Sequence, residues 1–143
     1  MRWVTRRHIR VNRTATAWFV RRFVDADASF EFLDPVEVAG ACAQGAVGFD
    51  APGAQYPHRD GRGRCSFEAL VDEHRGDDPA LRRLAFIVHC ADFPEEVSRC
   101  PEALGLRAIS SGFPRVSADD HETVARAGYL YDALYAALSA AEA

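Results

Sequence analysis

Trp3-Val4-Thr5-Arg6-Arg7-His8-Ile9-Arg10-Val11 runs without a break into Asn12-Arg13-Thr14-Ala15-Thr16-Ala17-Trp18-Phe19-Val20-Arg21-Arg22-Phe23-Val24. The first part sets Trp3, Thr5, Ile9 and Val11 among basic residues. That β-branched and aromatic pattern predicts a strand over Trp3–Val11. The second part changes period. At about 100° per residue, Ala15, Trp18, Phe19 and Phe23 fall on one arc, which predicts a helix over Arg13–Val24.

Downstream, Phe30–Leu33 reads as a short strand and Val47–Phe49 as another. Asp34-Pro35 and Asp78-Pro79 place a capping carboxylate before a proline that fits the first helical position. They open helices predicted to run to Cys42 and Cys90. Asp50–Arg64 holds Pro52, Gly53, Pro57, Gly61 and Gly63 and reads as a loop. Ser66 is expected to cap a helix to His74, and Pro101 to open one ending near Ser111. Ser117 with Asp120 resembles a capping box before a long last helix to about Ala140. The expectation is a single α+β domain over 1–143, mostly helical, with a small sheet of short strands.

The composition suits that fold. A chain of 143 residues, 48% hydrophobic and 27% charged, can bury one core. The net charge of −4 argues against a general nucleic-acid binder. All 17 basic residues are arginine, and seven precede the first acidic residue, Asp25. With +7 in that opening segment, a net of −4 leaves −11 for the remainder. The asymmetry points to internal ion pairs, an anion site or a small basic face. No apolar run approaches a membrane span, and the start shows no secretory signal. Cys42, Cys65, Cys90 and Cys100 form no CxxC pair, so reduced thiols in a cytoplasm are expected.

Several polar residues fall where apolar ones belong. Arg22 lies inside the aromatic arc of its helix and needs an anion there, either a carboxylate of the fold or a ligand. On the helix from Leu81 to Asp92, His89 and Asp92 stand on one side at i, i+3. That spacing suits joint metal ligation or a His–Asp hydrogen bond. Asp120 falls on the apolar face of the last helix in its first turn, beside His121, and reads as an arginine partner or supporting group. The segment from His58 to Cys65 carries Arg59, Arg62 and Arg64 among glycines and leads into a helix start, an arrangement that favours anions. It lacks P-loop spacing, so nucleotide binding is not supported.

Trp3-Val4-Thr5-Arg6, Asn12-Arg13 and Ala17–Asp25 resemble the opening of the chromate-resistance family of the ChrB type. Further matching blocks are His58, Cys65-Ser66-Phe67-Glu68, Asp77–Leu81 and Ile87-Val88-His89. Ala108-Ile109, Asp119-Asp120-His121 and Tyr131–Tyr135 complete the series, so the resemblance spans nearly the whole chain. One departure is Thr16-Ala17, where the family usually carries Cys-Pro before the tryptophan. Longer members carry an additional N-terminal region, the place for DNA binding, and this chain resembles their C-terminal domain. The resemblance implies a part in chromate response, by sensing the oxyanion or regulating resistance.

Three readings follow. The first is a cytoplasmic module that binds chromate or a related oxyanion through Arg22, Arg62, Arg64 and His58, since forked guanidinium donors suit a tetrahedral dianion. The second is a metalloprotein holding iron, manganese or zinc through His58, Glu68, His89 and Asp92, with redox or detoxifying activity. The third, a DNA-binding regulator, rests on the basic opening segment alone, and burial of Trp18 and Phe19 makes Arg13–Val24 a poor recognition helix. Oligomerisation stays open.

Overall fold

A computed structural model describes residues 1–142. Its centre is a three-stranded parallel sheet in the order β2-β1-β3, formed by Arg2–Arg6 (β1), Ser29–Leu33 (β2) and Val47–Gly48 (β3). Trp3 pairs with Phe30 on one side and Val47 on the other. Helices follow in chain order: Val11–Phe19 (α1), Pro35–Ala43 (α2), Ser66–Arg75 (α3), Pro79–Asp92 (α4), Pro101–Val116 (α5) and Asp120–Glu142 (α6). The mostly helical α+β expectation holds.

The opening stretch is divided differently from its sequence pattern. β1 stops at Arg6 because His8 takes a positive φ of 61° and turns the chain. Asp120 fixes that turn by accepting the His8 and Ile9 amides at 2.9 and 3.0 Å. Ile9 drops into the core and Val11 begins the helix, so the strand predicted through Val11 is shorter. α1 is buried at eight of its nine positions, Arg13 being the exception. It widens into a π turn over Val20–Val24, closed by the Asp25 amide on the Val20 carbonyl at 2.7 Å.

Aromatic rings organise the main core. Trp18 meets Phe23, Phe67, Tyr131 and Tyr135 with centroids 5.8 to 6.5 Å apart. Such pairs add about 0.5–1.5 kcal/mol each beyond burial. A smaller cluster of Val4, Val38, Ala41, Ala46 and Ala51 packs α2 on the other face of the sheet.

The Asp-Pro starts at Asp34 and Asp78 are as expected; Asp78 accepts the Ala80 and Leu81 amides. Two other caps differ. Cys65, rather than Ser66, precedes α3, and its amide donates to Glu68 Oε1 at 2.9 Å. Asp119, rather than Ser117, caps α6, because Asp120 is engaged at His8. α5 runs past Ser111 to Val116 with Pro114 near its end, and a 3₁₀ turn fills Pro94–Arg99. Among the described residues, no helix is long and apolar enough to cross a membrane.

β3 sits tightly against α2. A Cβ on Gly48 would lie 2.5 Å from Cys42 Sγ and 3.1 Å from the Ala54 backbone. Gly48→Ala is therefore expected to destabilise the fold by about 1–3 kcal/mol through overpacking. Denaturant unfolding checks this; an unchanged midpoint would contradict it.

Candidate functional site

Asp50 immediately follows the sheet and holds a positive φ of 51°, a conformation aspartate tolerates better than most residues. Its side chain is only 2% exposed. A carboxylate at that depth needs partners. Arg6 supplies two: Nε donates to the Asp50 carbonyl at 2.6 Å and Nη2 to Oδ1 at 2.9 Å. Asn12 Nδ2 donates to Oδ2 at 2.9 Å, and Arg13 Nε lies 3.6 Å from the same oxygen. His58 Nδ1 stands 2.8 Å from Oδ1. Burial alone would raise the Asp50 pKa, but the His58 bond, the Arg13 charge and the Asn12 bond together hold it below the usual carboxylate range.

Asn12 extends the network. Its amide nitrogen also donates to Ser66 Oγ at 2.8 Å, and its oxygen accepts the Phe67 amide at 3.2 Å. Ser66 meets Thr16 at 3.0 Å. α1, α3 and the segment after β3 are thereby locked together around one carboxylate.

The second carboxylate has fewer partners. Asp92, the last residue of α4, places Oδ2 3.6 Å from His58 Nδ1. That oxygen is buried and has no hydrogen-bond partner. Burial first, and then the charge of Asp50, raise the Asp92 pKa to about 6, against the opposing pull of His58, Arg13 and Arg6. The Asp50 bond, overcoming desolvation, raises the pKa of His58.

A polar cavity of about 140 Å³ opens beside this pair. Arg6, Arg10, Arg13 and Arg107 line it with Asn12, Asp50, Asp92, Ser110 and Ser111. Arg13 is committed to the fold, donating to the carbonyls of Arg6 and Arg7 at 2.8 and 2.9 Å. Arg107 spends Nη1 on the Ala91 carbonyl at 2.8 Å. Arg10 makes no ion pair among the described residues.

The residues singled out from sequence are distributed over several places. Arg22 is not enclosed: it pairs with Asp132 at 2.7 Å on a half-exposed surface, with its guanidinium 5.0 to 5.6 Å from the Trp18, Phe23 and Tyr135 ring centres. The π turn rotates it away from the buried arc. Arg64 pairs with Asp60 and Asp72, both at 2.9 Å, and lines a different cavity with Arg62. Arg22, Arg62, Arg64 and His58 therefore do not converge.

The four-residue metal grouping is also divided. His58 and Asp92 join Asp50, whereas His89 is held between Glu68, 2.5 Å from Nδ1, and Glu96 on Nε2. Phe93 separates the two groups, with ring centres 5.1 Å from His58 and 4.6 Å from His89. Asp120 holds the His8 turn, and His121 packs on the edge of Phe32 at 4.9 Å. Sequence reasoning missed Asp50, Arg6, Asn12 and Arg107. The available signal was that parallel strands place their carboxyl ends together, where ligands bind in open sheets; Arg6 ends β1 and Asp50 follows β3.

The family model described as "ChrB, C-terminal domain" matches residues 3–138. Protein ChrB of Cupriavidus metallidurans is 37% identical over 136 residues, covering 93% of this chain and 39% of that protein. The chain thus spans well under half the length of that curated relative. No solved structure matches it.

Asp92 gives a pH-dependent prediction. Its folded pKa of about 6 exceeds the ordinary 3.8, so the folded state holds the proton more tightly than the unfolded chain. Ionisation then costs the fold stability as pH rises from 3.8 through about 6, and the full cost stands above that. At about 1.4 kcal/mol per unit, the cost is at most about 3 kcal/mol. With chelator present, Asp92→Asn is expected to raise Tm more at pH 8 than at pH 5. An equal effect at both would contradict the assignment.

Proposed function

The chain belongs to the ChrB C-terminal-domain family, which is related to chromate resistance, and from that premise we propose that it binds a small tetrahedral oxyanion of the chromate type in the cavity beside Asp50. The observation that carries this reading is the charge balance of the cavity wall. Four guanidinium groups face two carboxylates, leaving an excess of two positive charges that a dianion would offset. Planar guanidinium forks match oxyanion geometry, and fixed donors in a partly dry site need no reorganisation to receive the ion.

Size supports an ion over a larger ligand. Pockets for drug-sized molecules hold about 300–1,000 Å³, whereas this cavity holds about 140 Å³. Arg10 and Arg107 are the arginines with donors to spare. Arg6 and Arg13 set the potential while holding Asp50, and His58 acts through Asp50. In this reading Arg22, Arg62 and Arg64 serve their carboxylate partners or the surface.

The role is sensing or resistance by reversible binding. In a longer protein, occupancy of the cavity is the signal the domain passes on, and contact with DNA falls to the additional region. The opening arginines do not favour DNA binding here. Met1, Arg2, Arg6, Arg7, Arg13 and Arg22 all pair with acidic side chains.

Calorimetric titration with sodium chromate tests the proposal. We expect one saturable site for which sulfate competes. Arg10→Ala and Arg107→Ala should each weaken binding by about tenfold or more, the worth of a charged hydrogen bond, and Arg62→Ala should leave it unchanged. Absence of binding by either anion, or loss in Arg62→Ala with retention in Arg107→Ala, would overturn the proposal.

A further inference from the structure

We propose that Asp50, His58 and Asp92 hold a divalent first-row transition-metal ion, with Asp50 Oδ1, His58 Nδ1 and Asp92 Oδ2 as its protein ligands. The site goes beyond the oxyanion reading and does not depend on it. One donor atom from each of the three residues lies within 4.8 Å of the other two. Nδ1 is 2.8 Å from Oδ1 and 3.6 Å from Oδ2. An ion about 2.0–2.2 Å from nitrogen and oxygen ligands spaces neighbouring ligands by about 3 Å. The observed separations bracket that spacing, so small side-chain rotations complete the site.

Two further features of Asp92 point to a cation. Its Oδ2 is buried with neither solvent nor a hydrogen-bond donor, and such an atom in a folded protein calls for an unseen partner. The residue also ends α4, where the helix dipole is negative and a carboxylate is disfavoured. The His58 ring alone leaves Oδ2 unsatisfied at 3.6 Å.

The surroundings are those of a ligand set. Arg6 and Asn12 orient the Asp50 carboxylate, as outer partners of metal ligands commonly do. Two carboxylate oxygens and one imidazole nitrogen suit manganese, iron or zinc, and no thiolate joins them. Three protein ligands leave positions for water or an anion. His89 is unsuited because both of its ring nitrogens are taken by Glu68 and Glu96. The ion takes the Nδ1 lone pair of neutral His58, whose one ring proton then sits on Nε2, so a His58 that starts as imidazolium gives its Nδ1 proton to solvent when the ion binds.

The test uses full-length chain stripped with chelator and titrated with MnCl₂ or ZnCl₂ alone, without chromate. Bound Mn²⁺ is read by electron paramagnetic resonance and Zn²⁺ by competition with a chromogenic chelator. One equivalent is expected. His58→Gln, on an exposed loop, and Asp92→Asn should each weaken binding by at least about tenfold, with His89→Gln retaining it. Substoichiometric binding at about 100 μM of either ion, or unchanged affinity in folded His58→Gln, would overturn the site. Because no oxyanion is present, failure here is distinct from failure of the chromate titration.

Discussion

Asp50 is a carboxylate almost wholly removed from water, and the fold is built to satisfy it. Arg6 reaches it from the end of β1, Asn12 and Arg13 from α1, and His58 from the loop beyond. Removing one partner of such a buried set typically costs about 3–5 kcal/mol, because the others are left charged and unpaired. The same contacts shape the cavity. Arg6 and Arg13 cannot turn to solvent without releasing Asp50, so their positive potential is fixed at the cavity wall. Structural need and binding potential thus rest on the same side chains.

The arginine-rich opening gains its meaning from this arrangement. Arg2, Arg7 and Arg22 meet Glu31, Asp34 and Asp132 near the surface, where such pairs contribute little. Arg6 and Arg13 meet Asp50 inside. Guanidinium suits the inner positions in a way an ammonium would not, since one group must serve several acceptors at fixed angles. Arg13, for example, serves three carbonyls while standing beside Asp50.

Much of the fold was legible in the sequence because its signals were local. The Asp-Pro pairs at Asp34 and Asp78 start helices through contacts within a few residues, and the aromatic arc of Ala15, Trp18, Phe19 and Phe23 follows from helical period. The turn at His8 was not legible, since it depends on Asp120, more than a hundred residues away. The site was legible in part. His58 and Asp92 stood out by residue type and position, but their shared partner Asp50 sits in a loop with no period to mark it. Regular helical period places Arg22 inward, but the π turn over Val20–Val24 changes the angle per residue there. Glu68 and His89 belong together, yet on the far side of Phe93 from His58.

Membership of the ChrB C-terminal-domain family and the charge of the Asp50 cavity are the two supports of the proposed oxyanion ligand. The family is related to chromate resistance, and the cavity offers arginine donors at the size of an ion. The most direct measurement is diffraction from crystals soaked in sodium chromate, collected above the chromium absorption edge. We expect an anomalous peak in the cavity between Arg10, Arg107 and Ser110. A peak at Arg62 and Arg64, or beside Arg22, with none in that cavity would contradict it.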